Sequence, residues 1–365
     1  MLSEDTLLKT ARPATHASFN KQLFEEHIDR LCAFSLDAFK QIARQYAFFH
    51  IAFFSLGLLE LFSFVLFFSF LTRSAFFAFT LAVLFFTGFT YFVLLFYFQA
   101  KKPQQLLDLR NAFIDQCKTA LPFAHHEQEY HSAQIHALYQ LFSTLHRQEY
   151  AFYTVSPAFK TLALLAKKFS VWTHWKDVHQ FQETILLSIV RHYVHLVQLK
   201  PTDLEIHAGL ASTFLSLAKL YMDPRKNAPN EEHLWISPDY HAEAMYEKFK
   251  LSAFRAIEEL RILDTYAPND PWVHAQLATV YQHLGLIDKE IQEYEAILKL
   301  SPKDQDILFR LGVLYFSQGR NAQALTLYEK LKGLKETKAE ELLSYYGAAF
   351  FDEEHHGLSA YTETT

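Results

Sequence analysis

Apolar residues form one uninterrupted block near the start of the chain. Between Ala47 and Phe98, Glu60 and Arg73 are the only residues with a full charge, and the block divides at 72–74 into halves of 25 and 24 residues. A bilayer core needs about 20 apolar residues of helix, so each half is long enough to span it. A polar segment of 46 residues precedes the block, which argues against a cleaved signal peptide. The pattern predicts a two-helix transmembrane hairpin over 47–98.

Polar and apolar positions on both sides of this block recur at helical spacing. We expect a cytoplasmic amino-terminal helix within 1–46 and a helical stalk over 99–156, continuing the hairpin as an antiparallel pair. Cys32 and Cys117 lie at similar distances from Arg73 and are expected to be buried thiols.

Orientation follows from the basic residues beside the block. One basic residue, Arg73, lies in the turn, and six flank the two spans: Arg30, Lys40, Arg44, Lys101, Lys102 and Arg110. Positive charge stays on the cytoplasmic side. We therefore expect an integral protein of a bacterial inner membrane, with both termini in the cytoplasm.

Glu60 is the one acid inside the apolar block, and its register places it opposite Thr87 and Thr90. A carboxyl group in the bilayer core is costly unless it finds a partner. It could bond those hydroxyls, or the Glu60 of a second copy in a homo-oligomer, and so hold helices together. A proton or ion relay is the alternative.

The second half of the chain carries an internal repeat. Pro271 to Asp304 and Gln305 to Lys338 align with a period of 34 residues, which pairs identical or similar residues: Leu277 with Leu311, Tyr281 with Tyr315, Gly285 with Gly319, Tyr294 with Tyr328, Ile297 with Leu331 and Leu300 with Leu334. This length and pattern resemble the tetratricopeptide repeat, a helix–turn–helix unit that stacks into an α-solenoid. The fold expected from the whole sequence is all-α, a hairpin followed by a solenoid.

Degenerate copies extend the array to 157–338, with one helix pair expected from Pro157 to Pro201 and another from Leu204 onward. An inserted loop over 223–239 exposes Trp235 as a secondary binding site. In the first clear repeat Glu290 replaces the small residue that the family favours, and we expect it at the edge of the helix pair. Residues 339–365 are expected to form a capping helix over 340–351 and an acidic tail.

The resemblance implies a concave groove, lined by the first helix of each repeat, that binds a peptide or a helix of a protein partner. The family's groove positions map onto Trp272, Ala275, Thr279, Gln282 and His283, and onto Asp306, Phe309, Val313, Phe316 and Ser317. The Lys and Asn residues that hold a carboxylate in some relatives are absent from both sets. Phe309, Val313 and Phe316 suggest an apolar anchor site, unless the chain's own final helix covers them.

Composition narrows the function further. The chain has 365 residues and two cysteines, and its net charge is -6. This excess of acidic residues argues against a nucleic-acid surface, which needs clustered Lys and Arg. No phosphate loop or catalytic signature occurs. Histidines cluster at 125, 126, 131 and 136 and at 192 and 195. No cysteine supports them, and a spacing of five residues does not hold two ligands on one helical face, so we expect no metal, no cofactor and no enzymatic activity.

Three functions remain. The first is a membrane-anchored scaffold or adaptor that binds a protein through the groove. The hairpin also resembles that of inclusion membrane proteins, which some intracellular bacteria export, and the repeats would then bind host proteins. An accessory subunit of a membrane transport complex is the third.

Overall fold

The structure is a computed structural model, and it describes residues 21–66, 76–121, 127–153, 160–223, 235–236, 243–334 and 336–346. The regular structure of these residues is helical. The α-helices are α1 (Lys21–Leu66), α2 (Phe76–Thr119), α3 (Gln128–Thr144), α4 (Lys160–Leu199), α5 (Leu204–Tyr221), α6 (Glu243–Tyr266), α7 (Pro271–Leu284), α8 (Ile287–Leu300), α9 (Gln305–Ser317), α10 (Asn321–Lys332) and α11 (Glu336–Leu343). A 3-10 turn covers Gln148–Tyr150. No strand occurs within these ranges. The all-α prediction is confirmed.

The chain divides into two compact units. The first comprises Met1–Pro201 and Leu220–Tyr246, and the second comprises Thr202–Lys219 and Glu247–Thr365. The apolar hairpin therefore shares a unit with α3 and α4, whereas the 34-residue repeats lie in the other unit.

Helices α1 and α2 run antiparallel in the first unit. The Tyr46 hydroxyl donates to Gln105 Oε1 at 2.6 Å, and the Tyr46 and Phe98 rings meet edge to face at 5.4 Å. Each helix continues from the apolar block into the polar flank without a break. Both pass the length and hydropathy criteria for a membrane span, and their most apolar windows are not buried inside the protein.

The polar ends of α1 and α2 are held together by a buried core. Phe39 stacks on Phe181 of α4 at 5.1 Å and meets Phe152 edge-on at 5.9 Å. Cys32 and Cys117 are buried free thiols, as predicted. Burial raises the pKa of each thiol to about 12, so both stay protonated at neutral pH.

The expected helix pair between Pro157 and Pro201 is wrong over its described residues, because α4 is a single helix of 40 residues. No Gly or Pro occurs from 160 to 199, so no residue there favours a turn. Trp235 is also not exposed: it is half-buried beside Val171, Trp175 and Ile236.

The two repeats of the second unit have matching ends. Asp270 caps α7 by accepting from the Trp272 amide at 2.9 Å, and Asp304 caps α9 by accepting from the Asp306 amide at 3.0 Å. Gly285 and Gly319 follow these helices with φ of 70° and 68°. Glycine suits this left-handed conformation because it has no Cβ. Local signals thus fix both helix–turn–helix units.

A continuous apolar core joins the repeats. It contains buried side chains of every helix from α7 to α11: Ala278, Ile291, Tyr294, Ile297, Leu308, Leu311, Tyr315, Phe316, Ala324, Leu327, Leu331, Ala339 and Leu342. The Tyr315 hydroxyl donates to Glu295 Oε1 at 2.5 Å, linking α9 to α8. The bounds predicted for the capping helix, 340–351, are wrong: α11 begins at Glu336 and ends at Leu343, and the described residues 344–346 form a turn. Residues from 347 onward, including most of the predicted acidic tail, lie outside the described ranges.

Candidate partner-binding face of the repeats

Helix α7 presents four of the predicted groove residues to solvent. Trp272, Thr279, Gln282 and His283 are all exposed, with Trp272 at 39%. The opposite face of α7 is buried through Val273, Leu277 and Tyr281. These four positions, hereafter the α7 face, combine one large aromatic ring with hydrogen-bonding groups.

His283 is neutral at physiological pH. Burial lowers its pKa, and the positive charge of Lys219 lowers it further. A neutral imidazole has one nitrogen that donates and one that accepts. The α7 face can therefore exchange hydrogen bonds of both kinds with a partner backbone.

The corresponding positions of α9 are covered in part, by α11 and by the turn that follows it. Phe316 is fully buried, whereas Phe309 and Val313 are half-buried. The rings of Phe309 and Phe316 meet those of Tyr345 and Tyr346 edge to face, at 6.2 and 5.6 Å. The predicted anchor site on α9 is therefore filled by the chain's own carboxyl-terminal segment, and Phe316 is a core residue.

Two further contacts fix α11 over α9. A Cβ atom added at Gly312 would lie 2.6 Å from Leu342 Cδ2, so the absence of a side chain at Gly312 admits Leu342. Lys338 forms an ion pair with Asp306, another predicted groove residue. Asp306 is thus engaged within the chain.

A buried charged network lies behind the α7 face, and no sequence pattern indicated it. His274 Nδ1 is 2.7 Å from Glu293 Oε2, and its Nε2 is 3.1 Å from the Pro268 carbonyl. Burial alone would lower the pKa of His274, but the hydrogen bonds and the charges of Glu293 and Asp264 raise it overall. Both nitrogens face acceptors, so the imidazolium form fits the site.

This network ties α6 to the first repeat. The Arg261 guanidinium donates to the Tyr281 hydroxyl at 2.9 Å and lies 3.7 Å from Glu293 Oε1. It holds α7 and α8 in register with α6, which supports the position of the exposed α7 face.

The sequence predicts Glu290 at the edge of the helix pair, and this prediction is wrong. It is 3% exposed, and burial raises its pKa to about 7 although Arg310 opposes the shift. A carboxyl group that is largely protonated near neutral pH can occupy a small-residue position without an unpaired buried charge.

The apolar hairpin contains one polar contact at the predicted place. The Thr87 hydroxyl donates to Glu60 Oε1 at 2.8 Å, joining α1 to α2. Thr90 is half-buried on α2. The contact is the kind that holds two helices together in an apolar environment.

Three histidines of the first unit lie together beside a pocket of about 600 Å³. His131 Nδ1 and His192 Nδ1 are 2.9 Å apart, and the ring of His195 stacks on His131 at 5.2 Å. Burial and the neighbouring His131, His195 and Arg191 lower the pKa of His192 to about 4. Across the described ranges, no group of three or more His, Cys, Asp or Glu has metal-site geometry.

Comparison with known families bears on the second unit. Residues 273–304 and 305–338 each match the tetratricopeptide repeat model. These two segments are tetratricopeptide repeats. Their boundaries agree with the 34-residue period and with the paired caps and glycines described above.

Comparison with whole proteins adds little to this. No curated protein matches the chain. Among solved structures, the chain is similar to YrrB, a TPR protein with an unusual peptide-binding site, at 14% identity and a TM-score of 0.24, covering 51% of this chain and 98% of that one. At that TM-score the fold assignment rests on the repeats and their packing instead.

Proposed function

We propose that the protein is a membrane-anchored scaffold that binds a protein partner through the α7 face. The observation that carries the proposal is the contrast between the two repeats. All four positions of the α7 face are exposed, whereas at the equivalent positions of α9 Phe316 is buried and Asp306 is paired with Lys338 of α11. Stacked helix pairs of this kind bind peptides or helices rather than catalyse reactions.

The α7 face has the composition of a binding surface. Tryptophan is among the residues that dominate binding energies at interfaces, and Trp272 lies at the amino-terminal end of α7, about three turns before Gln282 and His283. A partner segment that lies along α7 could pack on the indole and bond the polar groups. We infer an extended or helical peptide segment as the ligand.

The apolar hairpin would supply the anchor. Large side chains, including Phe48, Phe54, Phe85 and Phe86, point outward from the helix pair and are about 70% exposed. Exposing this apolar surface to water costs about 25 cal/mol per Å², whereas contact with the acyl chains of a bilayer avoids that cost. Anchoring would concentrate the partner at the membrane without any additional contact. The flanking charges support the part of the proposal that places the repeats in the cytoplasm, and a bacterial inner membrane is proposed with it.

Affinity capture with the full-length chain in nanodiscs tests the binding function. The wild type is compared with Trp272→Ala combined with His283→Ala, and with a matched Lys299→Ala variant, whose exposed side chain lies on α8. We expect a partner that is retained by wild type and Lys299→Ala and lost from the double variant. Equal capture by all three would contradict binding through the α7 face.

A further inference from the structure

The amino-terminal half of α4 carries an apolar surface that the described residues leave mostly exposed, with Phe169 alone meeting a ring from outside the helix, that of Tyr153 at 5.5 Å. Four side chains at helical spacing form one stripe: Leu162, Leu165, Phe169 and Trp172, exposed at 51%, 62%, 37% and 60%. We call this set the α4 stripe. Its rings are continuous, since Phe169 and Trp172 lie 6.1 Å apart.

The opposite side of the same segment is packed. Val171 and Trp175 are buried against Ile236 and are flanked by Tyr150 and Trp235. This part of α4 is therefore apolar on its buried side and on its exposed side. An exposed apolar stripe next to a complete core marks an interaction surface.

The register of α4 against α2 shows where this surface lies. Arg110 of α2 donates to the Thr184 carbonyl, and Lys102 forms a 2.6 Å ion pair with Asp177. Helices α2 and α4 therefore run in the same direction, and residue numbers on both fall toward the apolar hairpin. Asp177 lies at the level of Lys102, and Lys102 follows Phe98, the last residue of the apolar block, by four residues.

The stripe continues beyond that level. At 1.5 Å per residue, Phe169 lies about 12 Å and Leu162 about 22 Å further along the α4 axis than Asp177. Helix α4 thus runs past the level of Lys102 in the direction of the apolar hairpin.

Charge in this segment also favours a lipid surface. Residues 160–176 contain four Lys and no Asp or Glu. Lys168 and Lys176 are exposed, and Lys167 lies 5.1 Å from the centroid of the Tyr150 ring. Lysine beside Trp, Phe and Leu is the composition of helices that lie in the interface of anionic membranes.

We propose that residues 160–176 form a third membrane element, a segment that runs beside the hairpin and places the α4 stripe against the lipid. The proposal rests on the hairpin anchor of the proposed function. It assigns a lipid contact to the segment that sequence analysis assigned to the solenoid. Embedding would also fix the angle at which α4 leaves the membrane.

Depth-dependent fluorescence quenching of the full-length protein tests this inference. Cys32→Ala and Cys117→Ala give a background for single cysteines carrying an environment-sensitive dye. The reporters are Leu165→Cys in the α4 stripe, Phe85→Cys in the hairpin and Lys299→Cys in the repeats. The protein is reconstituted into vesicles of phosphatidylcholine and phosphatidylglycerol with brominated acyl chains.

We expect bromolipid to quench the dye at 165 and at 85, and aqueous iodide to quench the dye at 299. Quenching at 85 with iodide access at 165 would overturn the α4 proposal and leave the anchor intact. Protection of 165 from both quenchers would mean that protein, including a second copy, covers the stripe, and would also overturn it. Iodide access at 85 would overturn the anchor and the α4 proposal together.

Discussion

Helix α11 is expected to leave the second repeat when Leu342 is truncated to Ala. Leu342 is fully buried in the repeat core and occupies the space above Gly312. Its neighbour Leu343 is 42% exposed. Leu343→Ala is therefore a matched control, with the same chemical change on the same helix.

The structure gives the size of the effect. Truncating a fully buried Leu costs about 2–5 kcal/mol through lost burial and the cavity that remains, whereas an exposed substitution costs roughly 0.5 kcal/mol or less. A helix of eight residues has little stability of its own. The loss at Leu342 should therefore appear as local opening of α11 before the repeats unfold.

Hydrogen exchange measured by mass spectrometry separates local opening from global unfolding. At 1.4 kcal/mol per tenfold change, Leu342→Ala should reduce protection of the α11 amides by roughly 30-fold or more. Protection of α7 and α8 should change little. Equal protection of α11 in the two variants would refute the packing of α11 over α9.

Three further predictions concern separate buried groups. Burial raises the pKa of Glu290 from 4.5 to about 7, so the stability contributed by its protonated carboxyl group is present below pH 4.5 and is lost as pH rises through 7. Glu290→Gln should therefore raise the melting temperature more at pH 8 than at pH 5. A melting-temperature difference between variant and wild type that does not change with pH would count against burial of this carboxyl group. Thr87→Val removes the donor to Glu60 and should weaken the hairpin by about 0.6 kcal/mol without preventing membrane insertion, as checked by thermal unfolding in detergent and by carbonate extraction. Cys32 and Cys117 should resist maleimide in the folded protein and react after denaturation, since the thiolate is the nucleophile; rapid labelling of the native chain would contradict their burial.

The repeats were predictable because their signals are local. Asp270, Asp304, Gly285 and Gly319 recur at a fixed spacing, and each acts within its own turn. Apolar periodicity then places the helix faces. Such signals require no knowledge of which segments meet in space.

The continuity of α4 was missed for the opposite reason. Degenerate repeat patterning predicts a helix pair between Pro157 and Pro201, although no Gly or Pro between 160 and 199 favours a turn. Its packing against the hairpin ends depends on distant contacts such as Lys102 with Asp177, and apolar spacing alone does not distinguish a repeat helix from a stalk helix.

The binding face was predictable only in part. The four residues of the α7 face are exposed, as a groove requires, and their role in binding stays a prediction. Phe316 is a core residue and not the groove residue predicted, because helical phase does not show which segment covers a face. The His274–Glu293 pair also escaped prediction, since buried ion pairs between helices leave no periodic signal.

Photocrosslinking in native membranes tests the central claim most directly. A benzoylphenylalanine placed at position 272 of the full-length chain, and a matched one at exposed position 299, are irradiated in the membrane fraction. The account predicts a discrete protein adduct from 272, found with the membrane pellet, and no such adduct from 299. Adducts of equal yield from both positions, or a chain that remains in the soluble fraction, would contradict a membrane-anchored scaffold that binds through the α7 face.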